Sequence, residues 1–122
     1  MNNLEAPKYY WNLSEESKLF ILQNHFLFDH FSLWKINSTI KEIFLIHGYM
    51  YQIGNTMEDK MIADHLLKLN ANIYISDKII NIFYKYYFYI VFKNINLYGN
   101  YYFIFPKFTS NIKFYKNGTK DA

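Results

Sequence analysis

The run IINIFYKYYFYIVF, residues 79 to 92, constrains the fold of this chain more than any other segment. A membrane-spanning helix needs about 20 predominantly apolar residues. This run is shorter and is interrupted by Asn81 and Lys85. The chain is therefore expected to be soluble or at most membrane-peripheral. Ile80, Ile82, Tyr84, Tyr86, Phe88, Ile90 and Phe92 fall on one side of a period of two, with Asn81, Lys85, Tyr87, Tyr89 and Lys93 on the other. That pattern, rich in β-branched and aromatic side chains, predicts a half-buried strand whose even-numbered face meets the core. A helix capped by Ser76-Asp77, with Lys78, Asn81, Lys85 and Tyr89 as its polar stripe, is the rival reading.

The segments around this run supply the remaining elements. Ser14 followed by Glu15 and Glu16 is a helix start, with a capping oxygen and two acids at the positive end of the helix dipole. Leu19, Leu22 and Phe26 follow at helical spacing, which predicts a helix over residues 15 to 30. From 31 to 53, Ile43, Leu45, His47, Tyr49, Tyr51 and Ile53 alternate with Phe44, Ile46, Gly48 and Met50, which predicts strands with a bulge at Gly48. After a Gly54-Asn55 turn, Thr56 and Asp59 stand in the capping-box relation. Ile62, Leu66 and Leu69 then mark the buried face of a second helix over 57 to 69, closed by Asn70-Ala71-Asn72. Further strands are expected in NIYIS, in LYGNYYFIF up to Pro106 and in NIKFY, before a final Asn117-Gly118 turn. The expected fold class is α+β: two helices on one face of a four- to five-stranded, mainly antiparallel sheet.

A length of 122 residues fits one domain that can enclose a real core. Residues 1 to 12, with Pro7 and the Tyr9-Tyr10-Trp11 cluster, read as an extended N-terminal arm that docks on a partner and is dispensable for folding. The stretch MNNLEAPKYYWNLSEESK lacks the marks of a targeting peptide.

Aromatic residues make up 22% of the chain, and each ring can bury roughly 150–250 Å². Some of that surface is expected to meet a partner. Ile 16, Asn 14, Lys 13, Tyr 13 and Phe 12 account for more than half of the residues, and arginine is absent. These five abundant residues have A- and T-rich codons, so the alphabet reflects a strongly AT-biased genome.

Candidate chemistry is sparse. With no cysteine there is no disulfide framework, zinc ribbon or thiol nucleophile. No nucleophile elbow, phosphate loop or dinucleotide fingerprint occurs. His25 and Asp29 lie four apart on the first predicted helix but lack a third ligand, so neither a metal site nor a cofactor is expected. Lys85, Tyr87, Tyr89 and Lys93, with Tyr98, Tyr101, Tyr102 and Lys107 nearby, would form an aromatic and cationic sheet surface able to stack unpaired bases. A net charge of only +3 and the lack of arginine disfavour that nucleic-acid reading.

The functional expectation is thus not an enzyme. It is a non-catalytic accessory subunit whose partners are other proteins of a large organelle-encoded assembly, with Tyr9, Tyr10 and Trp11 at the interface. A mitochondrial respiratory-chain complex, on the matrix side of the inner membrane, fits the composition best. The alternatives are a mitochondrial ribosomal protein on rRNA, or a small virus or mobile-element protein that blocks a host factor in the host cytoplasm.

Overall fold

In the computed structural model, residues 4–76, 78 and 81–104 are described. A 3-10 turn over Lys8–Asn12 leads into α1 (Glu15–Asn24) and α2 (Phe26–His30). A second 3-10 turn over Leu33–Lys35 precedes α3 (Ser38–Ile53), α4 (Met57–Ser76) and α5 (Asn81–Ile104). Among the described residues there is no strand, so the chain is all-α and the α+β expectation is overturned.

The starts of α1 and α4 lie where the sequence puts them. Ser14 Oγ accepts the Ser17 amide at 3.1 Å. Thr56 Oγ1 accepts the Asp59 amide at 3.1 Å while Asp59 Oδ2 accepts those of Thr56 and Asn55 at 3.2 and 2.9 Å, a reciprocal capping box. Asn37 Oδ1 caps α3 through the Ile40 amide at 3.0 Å. Between α1 and α2 the backbone of His25 is extended, so the single helix expected over 15 to 30 is two.

Residues 38 to 53 read as strands because α3 is the central helix. Ile40, Ile43, Phe44, Leu45, Ile46, His47, Tyr49 and Tyr51 are all buried. A helix surrounded on every side is apolar at both odd and even positions, so a period of two can be found in it although none is used. β-branched and aromatic residues cost less than about 0.7 kcal/mol each in a helix, far less than their burial returns.

In α4 the expected face is wrong. The helix runs on to Ser76, with Asn70 and Ala71 buried within it rather than closing it. Ala63, Leu67, Asn70, Ala71, Tyr74 and Ile75 face inward, whereas Ile62 is 52% exposed, Leu69 is exposed and Leu66 is half-buried. Small Ala63 and Ala71 let α4 approach α3 closely, and the polar members of this face are paired. Asn70 Nδ2 donates to the Glu5 carbonyl at 2.8 Å, and its Oδ1 accepts the Glu5 amide at 2.7 Å.

Helix α5 corresponds to the rival reading of the apolar run. Its buried side chains are Phe88, Val91, Ile95 and Phe103, at helical and not alternating spacing. Ile82, Tyr86 and Ile90, assigned to the core by the strand pattern, are exposed, and so are Lys85 and Lys93. The strand expected at 111 to 115, Pro106, Lys107 and the Asn117-Gly118 turn lie outside the described residues.

Candidate functional site

Two features carry functional information: a polar chain buried between the helices, and the outer face of α5. The chain begins where α1 ends. His25 is buried, and its Nε2 lies 2.8 Å from Nδ1 of His47 on α3. His47 Nε2 lies 2.7 Å from Oδ1 of Asp64 on α4. The same oxygen accepts the Tyr51 hydroxyl at 2.8 Å, and Oδ2 accepts Lys60 Nζ at 2.6 Å.

Close helix approaches frame this chain. A Cβ on Gly48 would overlap Ile21 Cγ2 and reach within 3.1 Å of His25 Cγ, so α1 and α3 meet only because that position has no side chain. On α5, a Cβ at Gly99 would come within 3.0 Å of the Tyr51 hydroxyl and 3.2 Å of Lys60 Cε, so that helix closes the far side.

The electrostatics follow from burial. The pKa of His25 lies well below the ordinary histidine value because burial disfavours the cation and the His47 ring lies alongside. His47 is also lowered, burial outweighing the support of Asp64. Burial alone would raise Asp64, but hydrogen bonds from His47, Lys60 and Tyr51 outweigh it and hold the carboxyl below its usual value. Two neutral imidazoles and a carboxylate fix the proton order: His25 Nε2–H donates to His47 Nδ1, and His47 Nε2–H donates to Asp64.

This arrangement resembles an acid–histidine pair behind a nucleophile, but the position a nucleophile would take is held by His25. Both facing ring nitrogens of His47 are committed, and among the described residues no group of three or more acids and histidines could hold a metal ion. His25 and Asp29, four apart in sequence, are not brought together: the helix breaks at His25, which turns inward while Asp29 is exposed. The chain therefore joins α1, α3 and α4 by hydrogen bonds. Its Asp64 end reaches a cleft of about 350 Å³ between α4 and α5, also lined by Lys60, His65, Lys68 and Phe92. Lys68 Nζ lies 5.6 Å from the centre of the Phe92 ring.

Sequence reasoning missed the His25–His47–Asp64 connection. Its available signal was that His47 sits among apolar neighbours and that His25 opens the apolar run Phe26-Leu27-Phe28, where a polar ring requires a partner.

The interface residues named from sequence are separated. Tyr10 is 0% exposed and its hydroxyl donates to Glu42 at 2.5 Å; burial, reinforced by the Glu42 carboxylate, raises its pKa. Tyr9 and Trp11 remain exposed. The segment carrying them packs on the body through Leu4, Tyr10 and the Glu5–Asn70 hydrogen bonds.

Lys85, Tyr89 and Lys93, proposed from sequence for nucleic acid, share a stripe of α5, with Lys93 Nζ 5.6 Å from the Tyr89 ring centre. Tyr87 is turned away against Phe31, ring centres 5.9 Å apart. The sheet that was to present these rings is absent among the described residues. Along the same outer surface, Ile82 is 77%, Leu97 71% and Tyr86 67% exposed, and Phe83, Tyr89, Ile90 and Tyr101 are exposed as well.

No protein-family model, curated protein or solved structure matches this chain. Among the described residues no helix is long and apolar enough to cross a membrane, so α5 is not explained as a span.

Proposed function

We propose that the protein is a non-catalytic interaction subunit that acts by covering the outer face of α5 against a protein partner. One observation carries this reading: large apolar side chains of α5, Ile82, Phe83, Tyr86, Ile90, Leu97 and Tyr101, are exposed on its outer face beside Lys85 and Lys93. Contiguous exposed apolar patches of more than a few hundred Å² mark interaction surfaces. The buried histidine chain supports the same reading, since its geometry offers a fastening and no nucleophile. The AT-driven composition extends the proposal to an organelle-encoded assembly, with a respiratory-chain complex as the first choice.

The test is incorporation of the protein, expressed in its source, into a high-mass complex on native gels. Tyr86→Glu combined with Leu97→Glu should abolish incorporation without changing the helical signal, because both side chains are exposed in the isolated chain. Unchanged incorporation would overturn the reading. So would strongly salt-dependent binding of single-stranded RNA that is weakened by Lys85→Ala and Lys93→Ala, which would favour the ribosomal alternative.

A further inference from the structure

We infer that the cleft between α4 and α5 binds a small organic acid, its carboxylate taken by Lys60 and Lys68 and its apolar body laid against Phe92 and Ile95. The cleft is separate from the outer face of α5, so this inference goes beyond the interaction reading and does not depend on it.

One stripe of each helix builds the cleft. Lys60, Asp64 and Lys68 follow at intervals of four on α4, with Met61 and His65 beside them, and Phe92, Ile95 and Asn96 line it from α5. Its volume of about 350 Å³ falls at the lower end of the range of small-molecule sites, which combine apolar walls with a few polar groups. Here Ile95 is buried, Phe92 is half-buried and Met61 is exposed at the rim.

The polar groups select the sign of the ligand. Asp64 is already engaged at both oxygens, by His47, Tyr51 and Lys60, which fix it against the core. The donors around it are uncommitted. The Lys60 side chain is only 10% exposed, yet its ammonium group makes one hydrogen bond, to Asp64, and its other two N–H bonds have no partner among the described residues. His65, Lys68 and Asn96 form no hydrogen bond or ion pair among the described residues. A buried ammonium with uncommitted donors calls for an acceptor. Two lysines against one carboxylate leave the cleft positive, which favours an anion and repels a cation.

The apolar wall selects the rest of the ligand. Lys68 Nζ stands 5.6 Å from the centre of the Phe92 ring, attracted by its negative face. A carboxylate is the stronger partner for an ammonium group, and as Lys68 turns to it the ring is left for the ligand's apolar body. An inorganic anion would leave Phe92 and Ile95 uncovered. A neutral apolar molecule would leave the Lys60 donors unpaired. An acid with an aromatic or aliphatic body satisfies both sides of the cleft.

The test is an NMR titration of the full-length protein with 3-phenylpropionate, its neutral amide and acetate. The acid should move the backbone amide signals of residues 60 to 68 and 92 to 96 with a dissociation constant of about 1 mM or tighter. The amide and acetate should bind about ten-fold more weakly or worse, since each lacks one of the two features. Lys68→Met keeps the stem of an exposed side chain and should weaken the acid about ten-fold. Lys60→Met should do the same, and Lys68→Met decides the matter should loss of the buried ammonium disturb the fold. Lys35→Met, outside the cleft, should change nothing.

No movement of those signals up to about 10 mM acid would overturn the proposal. So would equal affinity for the amide, or an affinity indifferent to Lys68→Met. Signals moving only at Ile82, Tyr86 and Leu97 would show the exposed apolar patch taking up the ring, and would overturn it as well. Each of these results leaves the interaction reading standing, because Tyr86 and Leu97 are not among the residues that line the cleft.

Discussion

Around α3 the buried polar residues are paired: Ser17 with Ser14, His25 with His47, His47 and Lys60 with Asp64, and Asn70 with the backbone of Glu5. On α5 the Tyr87 hydroxyl and the Asn94 side-chain oxygen are buried without a hydrogen-bond partner, and a row of large apolar side chains faces outward. The first region satisfies both rules of an interior, apolar groups covered and polar groups paired. The second satisfies neither. The core around α3 is complete among the described residues, whereas the outer face of α5 is left uncovered by them.

The contrast is open to attack from both sides, and the largest effect is expected in the N-terminal segment. Deleting residues 1 to 11 removes the buried Leu4 and Tyr10 and leaves Asn70 without its backbone partners. The loss should be about 5 kcal/mol, since each large apolar side chain contributes about 1.5–3 and an unsatisfied amide costs about 1–3. Urea denaturation would measure it. A deletion variant of wild-type stability would return the segment to the status of a dispensable arm.

Asp64→Ala should cost about 4 kcal/mol, because it strands the buried Lys60 ammonium and the donors of His47 and Tyr51 together. A loss below about 1 kcal/mol would mean that the polar chain contributes little to the core.

Leu67→Ala should lose about 3 kcal/mol by cavity formation. Ile62→Ala, on the exposed side of the same helix, should lose less than about 1 kcal/mol. The reverse ranking would restore the face of α4 expected from sequence.

Acid should weaken the core before it affects α5. His25 and His47 both have folded pKa values below the ordinary 6.5, so below that pH the unfolded chain binds protons that the native state refuses. Stability is then lost as pH falls from about 6.5, by up to about 1.4 kcal/mol per pH unit for each histidine, or about 2.7 for the pair. Asp64, also lowered, adds its own loss only when pH falls through the carboxylate range. Urea midpoints at pH 7.5, 6.5 and 5.5 would show the slope, and His25→Gln should flatten it by about half. A pH-independent midpoint would exclude buried neutral imidazoles.

The smallest effect belongs to α5. Tyr86→Ala should change the stability of the isolated monomer by less than about 0.5 kcal/mol, despite removing a large aromatic ring, because that ring is exposed. A loss comparable to that of Leu67→Ala at protein concentrations where only monomer is present would show that the outer face of α5 is already covered within one chain.

How much of this was legible beforehand varied with the kind of signal. Ser14, Thr56 and Asp59 announced their helix starts because a cap is a local event: a side-chain oxygen and an amide two or three residues away settle it without the rest of the fold. The periodicity of residues 43 to 53 and 79 to 92 misled for a common reason. Both segments are rich in apolar residues, α3 because it is surrounded and α5 because its outer face carries Ile82, Tyr86 and Ile90 as its inner one carries Phe88 and Val91, so alternation could be traced through either. The face of α4 escaped for the opposite reason. Its inward residues include Lys60, Asn70 and two alanines, which a hydrophobic stripe ignores, while exposed Ile62 and Leu69 imitate one.

The sequence by itself determined where α1 and α4 begin, that the 79 to 92 run is too short and too interrupted to cross a membrane, and that thiol chemistry is unavailable. These are properties of single residues, neighbouring residues or composition. Only the tertiary structure decided that the apolar runs are helices, which face of each is inward, and that His25, His47 and Asp64 meet. His25 lies 22 residues from His47, and Asp64 a further 17. The break after α1, the absent side chain at Gly48 and the closing of α5 at Gly99 bring those rings and carboxylate into one line. The free energy that holds them there comes from burial shared among four helices, a quantity that no local window of the chain contains.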